Sequence, residues 1–329
     1  MKLDNKGFAF STLLYGILAV IIVVLMLLFG LYSRTSDEIY YYATMSEESL
    51  NKCVEQEIAL ENCYANTNPS IASSYCNTTA YYACLGIDDN TISSKKENAK
   101  DYIIRTMPTG LTSVSGYYMT HVYKGNDVKN YASFSGLTWR IIGITNSGLI
   151  KLALFGKTDV YKWDNGNSDD WSNSTLFNYL NNEFLNSLRD KDFLYKNSFN
   201  VGRVNDSSNP NAASIYSMEQ GTTYASLVGL PNITDYVKAT TNAACNSNII
   251  NTSNCSSWMT GEKSWIINPL QSGQNKAYLM DGGSSNPKIT TANLTENYKV
   301  IPVVYLSADI QVYVGAGDGS SGSPFKLGK

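Results

Sequence analysis

Residues 138–155 read Thr-Trp-Arg-Ile-Ile-Gly-Ile-Thr-Asn-Ser-Gly-Leu-Ile-Lys-Leu-Ala-Leu-Phe. Two apolar runs rich in Ile and Leu flank Asn146-Ser147-Gly148, a turn signal. The pattern predicts a β-hairpin, Thr138–Thr145 and Leu149–Phe155. Similar short runs follow at Ser264–Ile267, Ala277–Met280, Val300–Leu306 and Ile310–Val314. All four read as strands, with Pro302 marking an edge or bulge because it has no N–H for the ladder. A helix is predicted from Asp170–Ser174 through Leu188. Leu176, Phe177, Leu180, Phe184, Leu185 and Leu188 fall on its apolar side, and Ser172 or Ser174 is its N-cap. Thr234–Thr241 reads as a short helix or turn. Residues 110–329 are therefore expected to form an α+β domain with long loops.

The head of the chain has a different character. Phe8–Leu31 is 24 residues without a charge. As a helix it spans about 36 Å, enough to cross a hydrocarbon core of about 30 Å. Lys2 and Lys6 precede it, which favours a cytoplasmic N-terminus and places the rest of the chain outside the cell. Ile39, Tyr42, Met45, Cys53 and Ile58 continue at loosely helical spacing. Asn66-Thr67-Asn68-Pro69 then breaks the chain, and Ser70–Cys84 folds back as a second helical piece.

Composition narrows the chemistry. The 329 residues carry a net charge of −3, only 16% charged residues, and 24 tyrosines. No basic patch appears, so nucleic acid is not an expected partner. His121 is the only histidine, which removes His-based zinc sites. It lies in an aromatic run, YYMTHVY, and reads as a half-buried strand residue rather than as a catalytic base. No cofactor motif is present: Met280-Asp281-Gly282-Gly283 and the glycines from Gly315 to Gly319 read as hairpin turns. No catalysis is expected.

Six cysteines outside a membrane read as disulfides. Cys245 and Cys255 close a short polar loop, a ring worth about 2–3 kcal/mol by chain entropy. On single helices Cys53 and Cys63, or Cys76 and Cys84, stand about 15 and 12 Å apart, beyond disulfide reach. Two helical segments imply the nested pairs Cys63–Cys76 and Cys53–Cys84; two loops restore sequential pairs.

The clearest polar cluster is Trp163, Asp164, Asn165, Asn167, Asp169 and Asp170 with Trp171. Its oxygens and rings are a candidate calcium or sugar loop, though the acidic spacing is not that of an EF-hand. Trp139, Trp258 and Trp265 read as core. Asn77, Asn173, Asn205, Asn232, Asn251, Asn254 and Asn293 each begin an N-x-S/T triplet, from which exposure on loops is expected.

Two resemblances add to this reading. Residues 6–18, KGFAFSTLLYGIL, resemble a type IV prepilin leader. The resemblance implies cleavage after Gly7 by a prepilin peptidase and methylation of Phe8. It departs from the family at Thr12, where pilins usually carry Glu. Without that carboxylate a subunit suits a filament tip, or the membrane, better than the shaft. The series NYASFSGLTWRIIGI, LIKLAL, WDNGNSDDWSNSTLFNYLN, VGLPNITDYVKA, SWIINP and VIPVVYL, ending in GAGDGSSGSPFKL, resembles bacterial surface domains. Their core is similar to the formylglycine-generating-enzyme variant of the C-type-lectin fold.

The expected layout is a leader at 1–7, a transmembrane, pilin-like helix at 8–33, a disulfide-stapled helical stalk at 34–109 and a lectin-like α+β ectodomain at 110–329. The expected role is a single-pass surface protein displaying a binding or adhesion domain. Its expected partners are the lipid bilayer, other pilin-like subunits and an extracellular ligand. A minor pilus or secretion pseudopilus subunit without a ligand of its own, and an extracytoplasmic enzyme, are the alternatives.

Overall fold

A computed structural model describes residues 96–328, apart from 157–158, 167, 206–209, 249, 251, 253–254, 272–273, 283–286 and the side chain of 248. The leader with Gly7 and Phe8, the uncharged span with Thr12, the stalk to residue 95 with Cys53, Cys63, Cys76 and Cys84, and Asn77 lie outside the described residues. So do Asn167, Asn251 and Asn254. No helix among the described residues is long and apolar enough to cross a membrane.

The described residues form an α+β domain made mostly of sheet. Its first half runs β1 (Lys96–Asn98), α1 (Ala99–Thr106), β2 (Leu111–Ser113), β3 (Met119–Tyr123), β4 (Tyr131–Phe134), β5 (Leu137–Thr145), β6 (Ile150–Leu154) and β7 (Val160–Lys162). A helical stretch follows: α2 (Thr175–Tyr179), a π turn at Leu180–Phe184, and α3 (Leu185–Ser187). Then come β8 (Asn197–Asn200), α4 (Ala212–Gln220), β9 (Thr223–Ser226), β10 (Val228–Gly229), α5 (Ile233–Ala239) and α6 (Ala243–Asn248). The last seven strands are β11 (Ser264–Pro269), β12 (Lys276–Asp281), β13 (Lys288–Asn293), β14 (Asn297–Lys299), β15 (Val303–Leu306), β16 (Gln311–Tyr313) and β17 (Phe325–Gly328).

The hairpin of residues 138–155 is the hub. β5 pairs with β6 along one edge, in register Trp139↔Leu154, Ile141↔Leu152 and Ile144↔Ile150. Its other edge is shared, with β4 holding the first half and β3 the second. Residues 139–145 are buried without alternation because both faces of β5 are covered. The turn closes as its residues require: Gly148 takes φ +83°, and its N–H donates to the Thr145 carbonyl at 3.0 Å. Gly143 answers a different demand. A Cβ there would sit 2.3 Å from the His121 carbonyl oxygen, so the close approach of β3 needs a glycine.

Ten strands form the main sheet, with the path β1-β16-β17-β4-β5-β6-β15-β10 and with β2 and β3 branching from β5. Five more form a second sheet, β13-β12-β11-β14-β7. The four expected strands are all present, but the two predicted over Val300–Leu306 and Ile310–Val314 begin later, at Val303 and Gln311. Trp139 and Trp265 are completely buried, as expected, and Trp163 and Trp171 join them. Trp139 donates to the Phe134 carbonyl at 3.0 Å and Trp265 to the Tyr161 carbonyl at 2.8 Å, so these two indole N–H groups are satisfied. Ser174 caps α2 by accepting from the Phe177 N–H at 3.0 Å. The glycines from Gly315 to Gly319 turn the chain between β16 and β17, as read.

The domain begins earlier than residue 110. β1 pairs antiparallel with β16, Lys96↔Tyr313 to Asn98↔Gln311, and α1 buries Ala99 and Ile103. Asn98 caps α1 and also donates to the Ala308 carbonyl at 2.7 Å. Residues 96–109 are thus part of the α+β domain, not of a stalk. A three-residue strand and an eight-residue helix are too short to carry a periodic signal.

Cys245 and Cys255 are bonded, with Cα atoms 5.8 Å apart, and both are buried. Because both are buried, alkylation must be done in denaturant without reductant. Peptide mapping should then recover the two in one linked species; free alkylated Cys245 or Cys255 would show the bond absent.

Candidate functional site

Among the described residues, the loop at 163–171 does not assemble a cation site. Trp163 is buried and donates to the Ile266 carbonyl. Asp164 turns inward and accepts from the backbone N–H of Gly166, Ser168 and Thr175 and from the Thr175 hydroxyl, at 2.9–3.1 Å. Burial works against its charge, but these donors together hold its carboxyl below the ordinary value. Asp169 pairs with Arg203 at 2.7 Å, and Asp170 caps the turn Trp171–Asn173. The Asn165 backbone N–H donates to Thr175. The three carboxylates are therefore spent on protein donors. Among the described residues no group of three or more His, Cys, Asp or Glu is placed to hold a metal.

The expectation that all the Asn-x-Ser/Thr asparagines are exposed fails at Asn232. Its side chain is buried and donates to the Asn200 carbonyl at 2.5 Å and to Asn268 Oδ1 at 3.1 Å. His121 lies half-buried on β3, as read. Its Nε2 meets Ser113 Oγ at 3.1 Å and its Nδ1 meets Thr120 Oγ1 at 3.0 Å. Among the described residues no carboxylate reaches the ring, so the third member of a triad is missing.

The structure instead gathers charge where the sequence reading placed none. Lys151, the second residue of β6, and Asp235, in the first turn of α5, are both fully buried and form an ion pair at 2.6 Å. Asp235 also accepts from the Asn232 N–H at 2.8 Å, from the Tyr118 hydroxyl at 3.1 Å and from the Tyr117 hydroxyl at 3.2 Å. Lys151 donates a second bond to Tyr118 at 2.7 Å, and its ammonium lies 5.6 Å from the Tyr305 ring centroid. Burial is the largest influence on Lys151 and pulls its pKa down; the adjacent carboxylate outweighs it and leaves the ammonium above its ordinary value. A lysine so held stays charged and is no nucleophile. Burial, with Asp235 next, pushes the Tyr117 and Tyr118 hydroxyls well up, so they remain donors.

Glu219, at the end of α4, completes the cluster. Its carboxyl is fully buried against the first turn of α5, where Thr234 donates its N–H at 3.0 Å and its hydroxyl. Burial drives its pKa up to about 8 against the bonds from Thr234, and Asp235 adds to the rise. At neutral pH it is mostly the neutral acid, and the cluster holds one positive and one negative charge.

A pocket of about 280 Å³ opens above this cluster. Tyr118, Tyr305 and Asn232, all within or beside the charged network, form part of its wall. The remaining wall is amide and hydroxyl, including Asn197, Asn200, Gln220 and Ser147. No protein-family model, curated protein or solved structure matches this chain. The chemistry of the pocket therefore stands on its own residues. It offers donors and acceptors of both senses, two tyrosine side chains, and no free charge or nucleophile. Such a wall suits neutral, hydroxyl-bearing ligands better than ions.

Proposed function

We propose that this chain is a membrane-anchored, pilin-like surface protein whose α+β domain, of C-type-lectin-like character, binds a neutral, hydroxyl-rich ligand such as a saccharide outside the cell. The observation that carries the binding role is the pocket walled by amides, hydroxyls and tyrosines above a saturated Lys151–Asp235 pair. The uncharged stretch at 8–31 supports anchoring, and the Cys245–Cys255 bond suits an oxidising compartment. Screening the full-length protein against an array of neutral oligosaccharides tests the role. Asn200→Ala and Gln220→Ala should weaken a hit several-fold while leaving the melting temperature near wild type. Absence of any hit, or indifference of every hit to both variants, overturns it.

The anchoring half has a test of its own. The mature chain is expected to begin at Phe8, read as intact mass from cells that process other prepilins. Retention of Met1 there contradicts a prepilin-type leader and leaves a plain single-pass anchor.

A further inference from the structure

Arg140 stands out among the charges of the domain. It sits on β5 directly across from Tyr131 on β4 and is 7% exposed. Its guanidinium carbon lies 3.9 Å from the Tyr131 ring centroid, 4.9 Å from Trp258 and 5.6 Å from Phe155. Nε donates to Asn130 Oδ1, and Asn130 is itself held by the Ile141 carbonyl at 2.8 Å. There the partners stop. Among the described residues no carboxylate lies within ion-pair distance of Arg140, and its two Nη nitrogens have no protein acceptor. Neither nitrogen belongs to the buried polar atoms left without a bond, so both still touch solvent.

A buried guanidinium normally meets a carboxylate, because its donors form a planar fork that needs two oxygens. Here aromatic faces offset the desolvation and leave the fork open. We propose that Arg140 is a binding site for a carboxylate carried on a sugar ring, a uronic-acid type of ligand, distinct from the pocket above Lys151. One unpaired cation matches a monoanion, and Lys129, the basic residue next to Asn130, is already paired with Asp318. Phe155 is 47% exposed beside the fork and offers a flat apolar ring to the C–H face of a pyranose. A peptide entering by strand addition has no place to pair, since β5 is paired along both edges and β4 lies between β5 and β17.

Tryptophan emission reads this site directly. Four of the five tryptophans are at most 1% exposed, while Trp258, against Arg140, is half-buried. Sodium D-galacturonate at millimolar concentration, added to the full-length protein in neutral detergent, should change the emission saturably. D-galactose should not, and Trp258→Phe should remove the signal. Calorimetry should find Arg140→Gln weaker by about tenfold or more. If that variant fails to fold, Phe155→Ala, an exposed position, should still weaken binding several-fold with an unchanged melting temperature. The proposal is overturned if wild type does not bind galacturonate or if the variants that fold bind it as wild type does. It is also overturned if sodium sulfate or N-acetylphenylalanine binds as tightly.

Discussion

Replacing Lys151 by Met is expected to destabilise the domain by about 3–5 kcal/mol, measured by urea unfolding at neutral pH. The size follows from what is left behind. Lys151 and Asp235 are both fully buried, so removing the ammonium strands a carboxylate in a low-dielectric interior. Tyr118 loses one of its two partners in the same step. The double variant Lys151→Met, Asp235→Asn should recover a substantial part of the loss, because it removes the charge that the single variant strands. A single-variant cost below about 1 kcal/mol would mean that water reaches the pair, contrary to the burial of both side chains.

Glu219→Gln should act in the opposite direction, and only as pH rises. The folded protein holds the Glu219 proton up to about pH 8, while the unfolded chain releases it near the ordinary value of 4.5. Between these values the native state binds more protons than the unfolded state, so wild-type stability from this group falls as pH increases. Below about pH 4.5 the two proteins should be similar in stability. Above pH 8 the glutamine variant should be the more stable by a few kcal/mol, at most about 5, at about 1.4 kcal/mol per pKa unit. Glutamine keeps an oxygen for the Thr234 N–H, and the Thr234 hydroxyl can turn from donor to acceptor. Unfolding free energies measured in parallel at pH 4, 6 and 8.5 decide the matter. A difference that does not grow with pH would place the Glu219 pKa near 4.5.

The hairpin at 138–155 was legible because its apolar runs and turn are local features. The same holds for the capped helix after Ser174 and for the late strands. Trp139 and Trp265 read correctly for a similar reason: large rings close to Ile residues bury wherever the strand goes. Trp258 did not, because its place over Arg140 depends on a strand more than a hundred residues away. Lys151 and Arg140 did leave a mark. Each interrupts an otherwise apolar strand, LIKLAL and TWRIIGI, and a charge in such a run must find a partner or a ring. Sequence spacing does not name that partner: Asp235 lies 84 residues from Lys151. The acidic loop at 163–170 misled for the converse reason. Clustered oxygens look like ligands until the backbone N–H groups that claim them are known, and those depend on the turn geometry.

The three-residue strand at the head of the domain has a mechanical consequence. β1 and β17, the first and last strands described, are separated by a single strand, β16, at one end of the main sheet. Tension applied to the chain ahead of Lys96 therefore meets a short ladder first, long before it meets β5, which is zipped on both sides. If that ladder yields, the eleven residues of β1 and α1 can pay out about 35 Å of slack. The pocket and the Arg140 fork lie beyond the part that unravels. Under tension ahead of Lys96 the domain can lengthen at its first strand while the pocket and the fork keep their shape.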